Sequence, residues 1–342
     1  MKETKLFFTS LSRYFSEYLP ITKGLSSNSI RSYQYTFQLL FLYLKNTKEM
    51  PPDKVSFSIL NRETLEGFLA WIENVRFCST VTRNHRLSSL SAFSCFAIKV
   101  EPIIAAGFYS AITDIPKKKS SKKLPVYFTM EEIKILLNLA IKNHRIAIRD
   151  KMMLSVLYAS GARAQELCDI KVIDVRFGEK TSIKLIGKGN KARIITIPSQ
   201  CATLLETYLV ETNKENQFDM YVFSSQTHSH MSISCVEEVV KKYVMIAKKN
   251  YPELFRDNKY TPHTFRHSIA VHMLEAGVPL PVIKNFLGHV SLETTLIYAT
   301  VSDDLKNKYL KENSIIKDIA KRENQPKKYD YEAMGLGFLN RI

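Results

Sequence analysis

The sequence predicts a mainly α-helical protein of two parts with one small β-sheet built around a hairpin. Two features of patterning predict the class. Apolar residues recur at helical spacing through the first third of the chain and again from Cys235 onward, whereas residues 182–186 and 193–197 form short β-branched runs. A third feature predicts the division: in a chain of 342 residues, a proline-bounded, lysine-rich run near residue 120 separates two stretches each long enough to bury a core. The expected organisation is a helical domain over residues 1–114, a basic linker over 115–125, a second domain over 126–312 and a tail over 313–342.

The first domain is clearest over residues 28–45, where Ile30, Tyr33, Phe37, Leu40, Phe41 and Leu44 recur at helical spacing while Arg31, Ser32, Gln34 and Gln38 fall elsewhere around the axis. Ser26 and Ser27 stand just before it as N-cap candidates. Helical pattern resumes over 62–73, 80–98 and 102–110, with a polar turn between the first two, so a bundle of about four helices is expected. The linker then carries Lys117, Lys118, Lys119, Lys122 and Lys123 with no large apolar residue among them. Such lysines are solvated, and where they cross a duplex they add sequence-independent attraction to phosphates.

The second domain opens at Thr129, which forms a capping box with Glu132, with Phe128 placed to staple onto Ile133 and helical pattern running through Leu139. A helix over 149–158 follows, and the two β-branched runs then form a hairpin whose tip is Gly187, Lys188, Gly189, Asn190 and Lys191. From Cys235 onward, Pro262, Gly277, Pro279 and Gly288 mark places where helices stop.

Lysine plus arginine outnumber aspartate plus glutamate by 49 to 33, a net charge of +16 that favours an extended polyanion, nucleic acid first. A membrane is not expected, since the sequence has neither a run of about 18 apolar residues nor a basic-apolar-small leader; the protein is expected in the cytoplasm. Cys78, Cys95, Cys168, Cys201 and Cys235 are scattered without C-x-x-C spacing, so they read as reduced packing residues rather than a disulfide framework or zinc module.

Four clusters carry chemistry together that none carries alone. In the first, Gly161 ends a helix and Arg163 opens another near its positive end, a good place for an anion, although Arg163 and Glu166 at i, i+3 could equally be an ordinary helix-surface ion pair. The second is Lys188, which on a two-stranded arm can reach into a groove and deliver a proton. The third is His263, Arg266 and His267 after Thr261 and Pro262, three groups on one helix face. His263 and His267 have zinc-ligand spacing, but Arg266 shares their face and the acidic neighbour of H-E-x-x-H is missing, so an anion is the expected guest. In the fourth, Gly288 closes a helix, His289 sits in the turn, and Ser291 caps the helix that presents Tyr298.

In order, these clusters resemble the tyrosine recombinase, or phage integrase, family with its Xer and transposon-borne branches. Gly161, Arg163 and Glu166 resemble its G-x-R-x-x-E box; His263, Arg266 and His267 its H-x-x-R-H box; and Leu287, Gly288, His289, Thr294, Thr295 and Tyr298 its L-G-H-x-x-x-x-T-T-x-x-Y box. Lys188 resembles the family's hairpin lysine, with Lys191 as the alternative, and Lys23, Gly24, Leu25, Ser26 and Tyr33 resemble its N-terminal core-binding domain.

The resemblance implies a C-shaped clamp of two domains, a SAM-like core-binding bundle and a mixed α+β catalytic domain, around double-stranded DNA at a recombination site. It implies catalytic roles for Arg163, Lys188, His263, Arg266, His289 and the nucleophile Tyr298, with support from Glu166 and His267 and DNA contacts from Lys117, Lys118, Lys119, Lys122, Lys123 and Lys191. The expected chemistry is strand cleavage through a 3′-phosphotyrosyl intermediate with Lys188 as general acid, needing no cofactor, neither ATP nor metal. The expected setting is the bacterial cytoplasm and nucleoid, with monomers or dimers that assemble as a homotetramer on two DNA sites, and the 313–342 tail docking on a neighbouring protomer or an accessory protein. A type I topoisomerase using the same residues, and a non-catalytic DNA-binding accessory protein, are the competing expectations.

Overall fold

In a computed structural model, the described residues are 2–120, 124–139, 145–187, 189–257, 259–289 and 291–299. Lys122, Lys123, Lys188 and the 313–342 tail lie outside them. The chain divides into two compact units, Met1–Lys122 and Lys123–Ile342.

Unit 1 is helical: α1 (Lys2–Arg13), a π-helical segment (Tyr14–Thr22), α2 (Ser27–Lys48), α3 (Arg62–Asn74), α4 (Thr80–Val100) and α5 (Pro102–Thr113). Three helix starts are fixed by side-chain caps, Ser26 accepting from Ser29 N, Asn61 from Thr64 N and Ser79 from Thr82 N. The expected bundle of about four helices gains a fifth, α1, with the π-helical segment that continues it. The apolar residues of this stretch do recur on one face, and what departs from an ordinary helix is the π-helical turn with Pro20, which lacks an N–H, within it. Its Phe7, Leu11, Tyr14 and Leu19 are buried. The core centres on Phe93 of α4, which meets Phe7, Tyr14, Phe37, Phe57 and Phe108 at ring separations of 5.2 to 6.2 Å.

The start of the linker is tied down rather than freely solvated. Ile115 is buried, Arg83 Nη1 donates to Pro116 O, and Asn84 exchanges two hydrogen bonds with the backbone of Lys118. The Lys118 ammonium pairs with Glu73. Lys117 and Lys119 are exposed.

Unit 2 begins with α6 (Met130–Leu139), whose capping box is made by Thr129 N donating to Glu132 Oε2 at 2.8 Å and Glu132 N donating to Thr129 Oγ1 at 3.2 Å. The other carboxylate oxygen of buried Glu132 accepts from Phe255 N, so one side chain starts a helix and anchors a loop 123 residues away. Helix α7 (Arg145–Ser160) is longer than expected at both ends. After the short α8 (Ala164–Cys168) come β1 (Val175–Arg176), β2 (Ser182–Ile186) and β3 (Ala192–Thr196), an antiparallel sheet in the order β1-β2-β3 with Ile183 opposite Ile195. The hairpin was expected; β1, two residues long, is too short to leave a pattern. Helices α9 (Ser199–Glu211), α10 (Ile233–Asn250), α11 (Pro262–Glu275), α12 (Leu280–Leu287) and α13 (Glu293–Ala299) follow among the described residues of the unit. Among the described residues, no helix is long and apolar enough to cross a membrane.

Candidate active site

Arg163 follows the turn that ends α7. Gly161 has φ +58°, and a Cβ there would come within 3.0 Å of Leu287 Cδ2, so glycine is required both for the left-handed turn and for the close approach of α12. Arg163 then opens α8, which is only five residues long, and its backbone N–H is already taken by Glu166 Oε2 at 2.8 Å. The attraction for an anion here therefore comes from side-chain guanidinium groups, not from the end of a helix. Arg163 Nη1 donates to Glu166 Oε1 at 2.7 Å, the i, i+3 pair expected on the surface, but Glu166 is buried. Four donors from two arginines hold its carboxyl down at about 2 despite burial that pushes the other way.

Arg266 projects from the first turns of α11, where Thr261 caps and Pro262 occupies the first position. It is fully buried, with Nη1 donating to Gly161 O at 2.7 Å and Nη2 to Leu287 O; Nε is buried without a partner. One guanidinium thus joins the arginine turn to the end of α12. Burial, then the charge of Arg163, lowers its pKa to about 10. His263 is exposed at the start of the same helix and His267 is half-buried one turn on, their rings 4.8 Å apart and edge-on. The expected convergence of the three on one point is therefore partial, since Arg266 turns towards main-chain carbonyls. Among the described residues, these histidines belong to no group of three or more His, Cys, Asp or Glu side chains able to hold a metal ion.

Helix α12 ends at Gly288 in the left-handed region (φ +65°), and His289 follows with Nδ1 hydrogen-bonded at 3.0 Å to the hydroxyl of buried Thr295. Ser291 accepts from Glu293 N at the start of α13. Tyr298, near the end of α13, is only 1% exposed, packed in a cluster with Ala270, Val271, Leu274, Ile283 and Leu287. Its hydroxyl is 3.0 Å from His267 Nδ1, and its ring lies nearly parallel to His289 with centroids 6.4 Å apart. Burial raises the Tyr298 pKa, while the charges of Arg266 and Arg163 oppose the rise. Burial first, and neighbouring positive charge second, hold His267 and His289 at about 4, so both are neutral near pH 7. Crowding by protein atoms, then Arg266 and Arg163, also lowers His263.

A cavity of about 610 Å³ opens beside these groups, lined by Arg163, Lys191, Arg193, Lys284 and His289 together with Gly187 at the foot of the hairpin. Gly189 and Asn190 at the tip take positive φ, and Gly187 N donates to Lys191 O to close the turn; Lys191 is exposed there. Lys188 lies outside the described residues. Sequence reading gave no role to Arg193 or Lys284. Arg193 left a signal: it shares the inward face of β3 with buried Ile195 while apolar Ile194 points outward, an inverted alternation that marks a charged group with a buried partner.

Residues 127–304 match the model of the phage integrase family, and residues 13–101 match that of the phage integrase N-terminal SAM-like domain. The tyrosine recombinase XerD of Oceanobacillus iheyensis is 30% identical over 293 residues, covering 84% of this chain and 92% of that protein. The tyrosine recombinase XerA of Pyrococcus horikoshii is 32% identical over 289 residues, covering 84% of this chain and 88% of that one. Two solved structures share the fold: the XerH site-specific recombinase bound to difH substrate in a pre-cleavage complex (TM-score 0.62, 20% identity, 79% of this chain and 75% of that one), and the Tn1549 transposon integrase in complex with transposon right end DNA (TM-score 0.64, 16% identity, 88% and 98%). With its catalytic-domain match spanning more than half the chain and its relatives matched over most of their length, the chain belongs to the phage integrase family, the tyrosine recombinases of site-specific DNA recombination.

Proposed function

We propose that this protein cleaves and rejoins duplex DNA at a specific site through a 3′-phosphotyrosyl bond to Tyr298. The observation that carries this reading is the Tyr298 hydroxyl, 3.0 Å from His267 Nδ1 and within the field of Arg163 and Arg266, beside a basic cavity. In the proposed step the phenolic proton passes to a neutral histidine, His267 being the one already hydrogen-bonded, with His263 as the alternative acceptor. The phenolic oxygen then attacks phosphorus. Arg163 and Arg266, the latter with its free Nε, hold the non-bridging oxygens as charge builds on them, and His263 and His289 add hydrogen bonds. The bond to O5′ breaks as Lys188 protonates that oxygen. A 5′-hydroxyl from a second strand attacks the phosphotyrosine in reverse, so the bond energy is conserved and no nucleotide is consumed. Because Arg266 is 0% and Tyr298 1% exposed, the groups that cover them must shift before the guanidinium or the hydroxyl meets a phosphate.

The partner in this reading is a double-stranded recombination site, approached with the help of Lys117, Lys119 and Lys191, in the bacterial cytoplasm. Exchange between two sites takes four protomers, and the 313–342 tail suits docking onto a neighbour or an accessory protein. The names of the relatives support recombination over DNA relaxation.

Incubation with a nicked suicide duplex, in which the cleaved fragment diffuses away, tests the chemistry. The native chain is expected to accumulate a protein–DNA adduct that survives denaturation, and Tyr298→Phe to form none. No native adduct, or an undiminished one from the variant, refutes the assignment. Supplying two duplexes separates strand exchange from simple relaxation.

A further inference from the structure

Arg193 has no part in the steps above, yet it touches two of the four chemical clusters, at Glu166 and at Gly288. Its Nη1 and Nη2 donate to Glu166 Oε1 at 3.0 Å and Oε2 at 2.8 Å, a fork that grips both carboxylate oxygens. Its Nε donates to Phe286 O at 3.1 Å, one residue before the carbonyl that takes Arg266. The end of α12 is thus held by two arginines on consecutive carbonyls, groups that a helix leaves without internal partners. The Arg193 stem also passes close under Gly288, where an added Cβ would sit 3.1 Å from its Cδ. With its side chain 11% exposed and that of Glu166 3% exposed, these contacts are largely shielded from water.

The arrangement has an electrostatic consequence. Glu166 also binds Arg163, at 2.7 Å. Were those two alone, the carboxylate would neutralise the guanidinium intended for phosphate. With Arg193 claiming both carboxylate oxygens, two cations share one anion, and Arg163, whose side chain is 34% exposed, keeps uncompensated charge towards the cavity. A lysine at 193 could supply the charge but not three fixed donors.

We propose that Arg193 is a positioning residue for the recombination chemistry: through Glu166 it sets the geometry and effective charge of Arg163, and through Phe286 it fixes the turn that carries His289. This inference rests on the recombinase reading given above. It predicts that Arg193 matters through the charge on the scissile phosphate, which a merely structural residue does not.

The test compares the native chain and Arg193→Lys in single-turnover cleavage of two suicide duplexes. One has a normal scissile phosphodiester; the other has a methylphosphonate there, in which a methyl group replaces one non-bridging oxygen and removes the charge. Arg193→Lys is expected to slow cleavage of the phosphodiester by about 10- to 100-fold, by analogy with the loss when a residue that orients a metal ligand from behind is changed. Its affinity for the intact site should be unchanged and its deficit on the methylphosphonate largely gone. Because the two rates are compared within one variant, a partly unfolded population scales both alike and cancels. Native rates for Arg193→Lys, or an equal fold-loss on both substrates, overturn the inference and leave the recombinase reading intact. A native chain that forms no adduct with either duplex overturns both.

Discussion

Tyr298 and His267 are held together by one hydrogen bond inside a cluster of apolar side chains, and their titration follows from that burial. His267 and His289 are kept at about 4, below the ordinary histidine value near 6.5. Both are therefore neutral in the folded protein where the unfolded chain would already be charged. The unfolded state binds more protons as pH falls from about 6.5 towards 4, so stability present above that window is lost across it. Thermal melts between pH 7 and 4 should show the midpoint falling, and His267→Gln should remove about half of the part due to this pair, since each histidine contributes one proton to the linkage. An unchanged slope in the variant would show that His267 is not held neutral by its surroundings. The same neutrality suits His267 to accept the phenolic proton in the proposed attack.

The linker shows how an element acquires a role that its composition does not specify. Its lysines look alike in sequence and Lys117, Lys118 and Lys119 are all exposed, but Lys118 has its backbone tied to Asn84 and its ammonium paired with Glu73. An exposed ion pair stabilises weakly, by no more than about 1 kcal/mol. It nevertheless occupies the ammonium. Removing one lysine that neutralises a phosphate should reduce the slope of log affinity against log salt by about 0.9. Lys117→Ala and Lys119→Ala are each expected to lower the slope for duplex binding, whereas Lys118→Ala should move it less than either. Titrations at several salt concentrations decide, and a drop of a full unit with Lys118→Ala would contradict this division of roles.

At the scale of the molecule, the two larger cores are built from separate stretches of chain, one around Phe93 in unit 1 and the other around the α6, α7 and β2–β3 residues of unit 2, where a smaller cluster holds Tyr298. Truncating a buried phenylalanine typically costs about 3–5 kcal/mol, through the apolar burial forgone and the cavity left behind. Phe93→Ala should therefore lower the unfolding temperature of unit 1 while leaving a second calorimetric transition, that of unit 2, near its native position. A single transition shifted as a whole would show that the units unfold together.

The sequence by itself determined most of the helices, the hairpin, and the identity and order of Arg163, His263, Arg266, His289 and Tyr298. The helices and the hairpin are set by short-range physics, helical and strand periods, caps such as Ser26 and Thr129, and glycines where the chain must turn through positive φ, whereas the five site residues are singled out by their resemblance to a family's ordered motifs. The first helix also carries a one-sided pattern, Phe7 and Leu11 at i, i+4, and what obscures it is the π-helical turn with Pro20 that follows. Tertiary structure alone decided which groups meet. Glu166 and Arg193 lie 27 residues apart and Arg266 and Gly161 lie 105 apart, and no local pattern specifies which carboxylate or carbonyl a buried guanidinium will reach. It also decided that Tyr298 rests against His267, the histidine that the family resemblance casts in support, because side-chain direction at a helix end depends on what the neighbouring helix leaves room for.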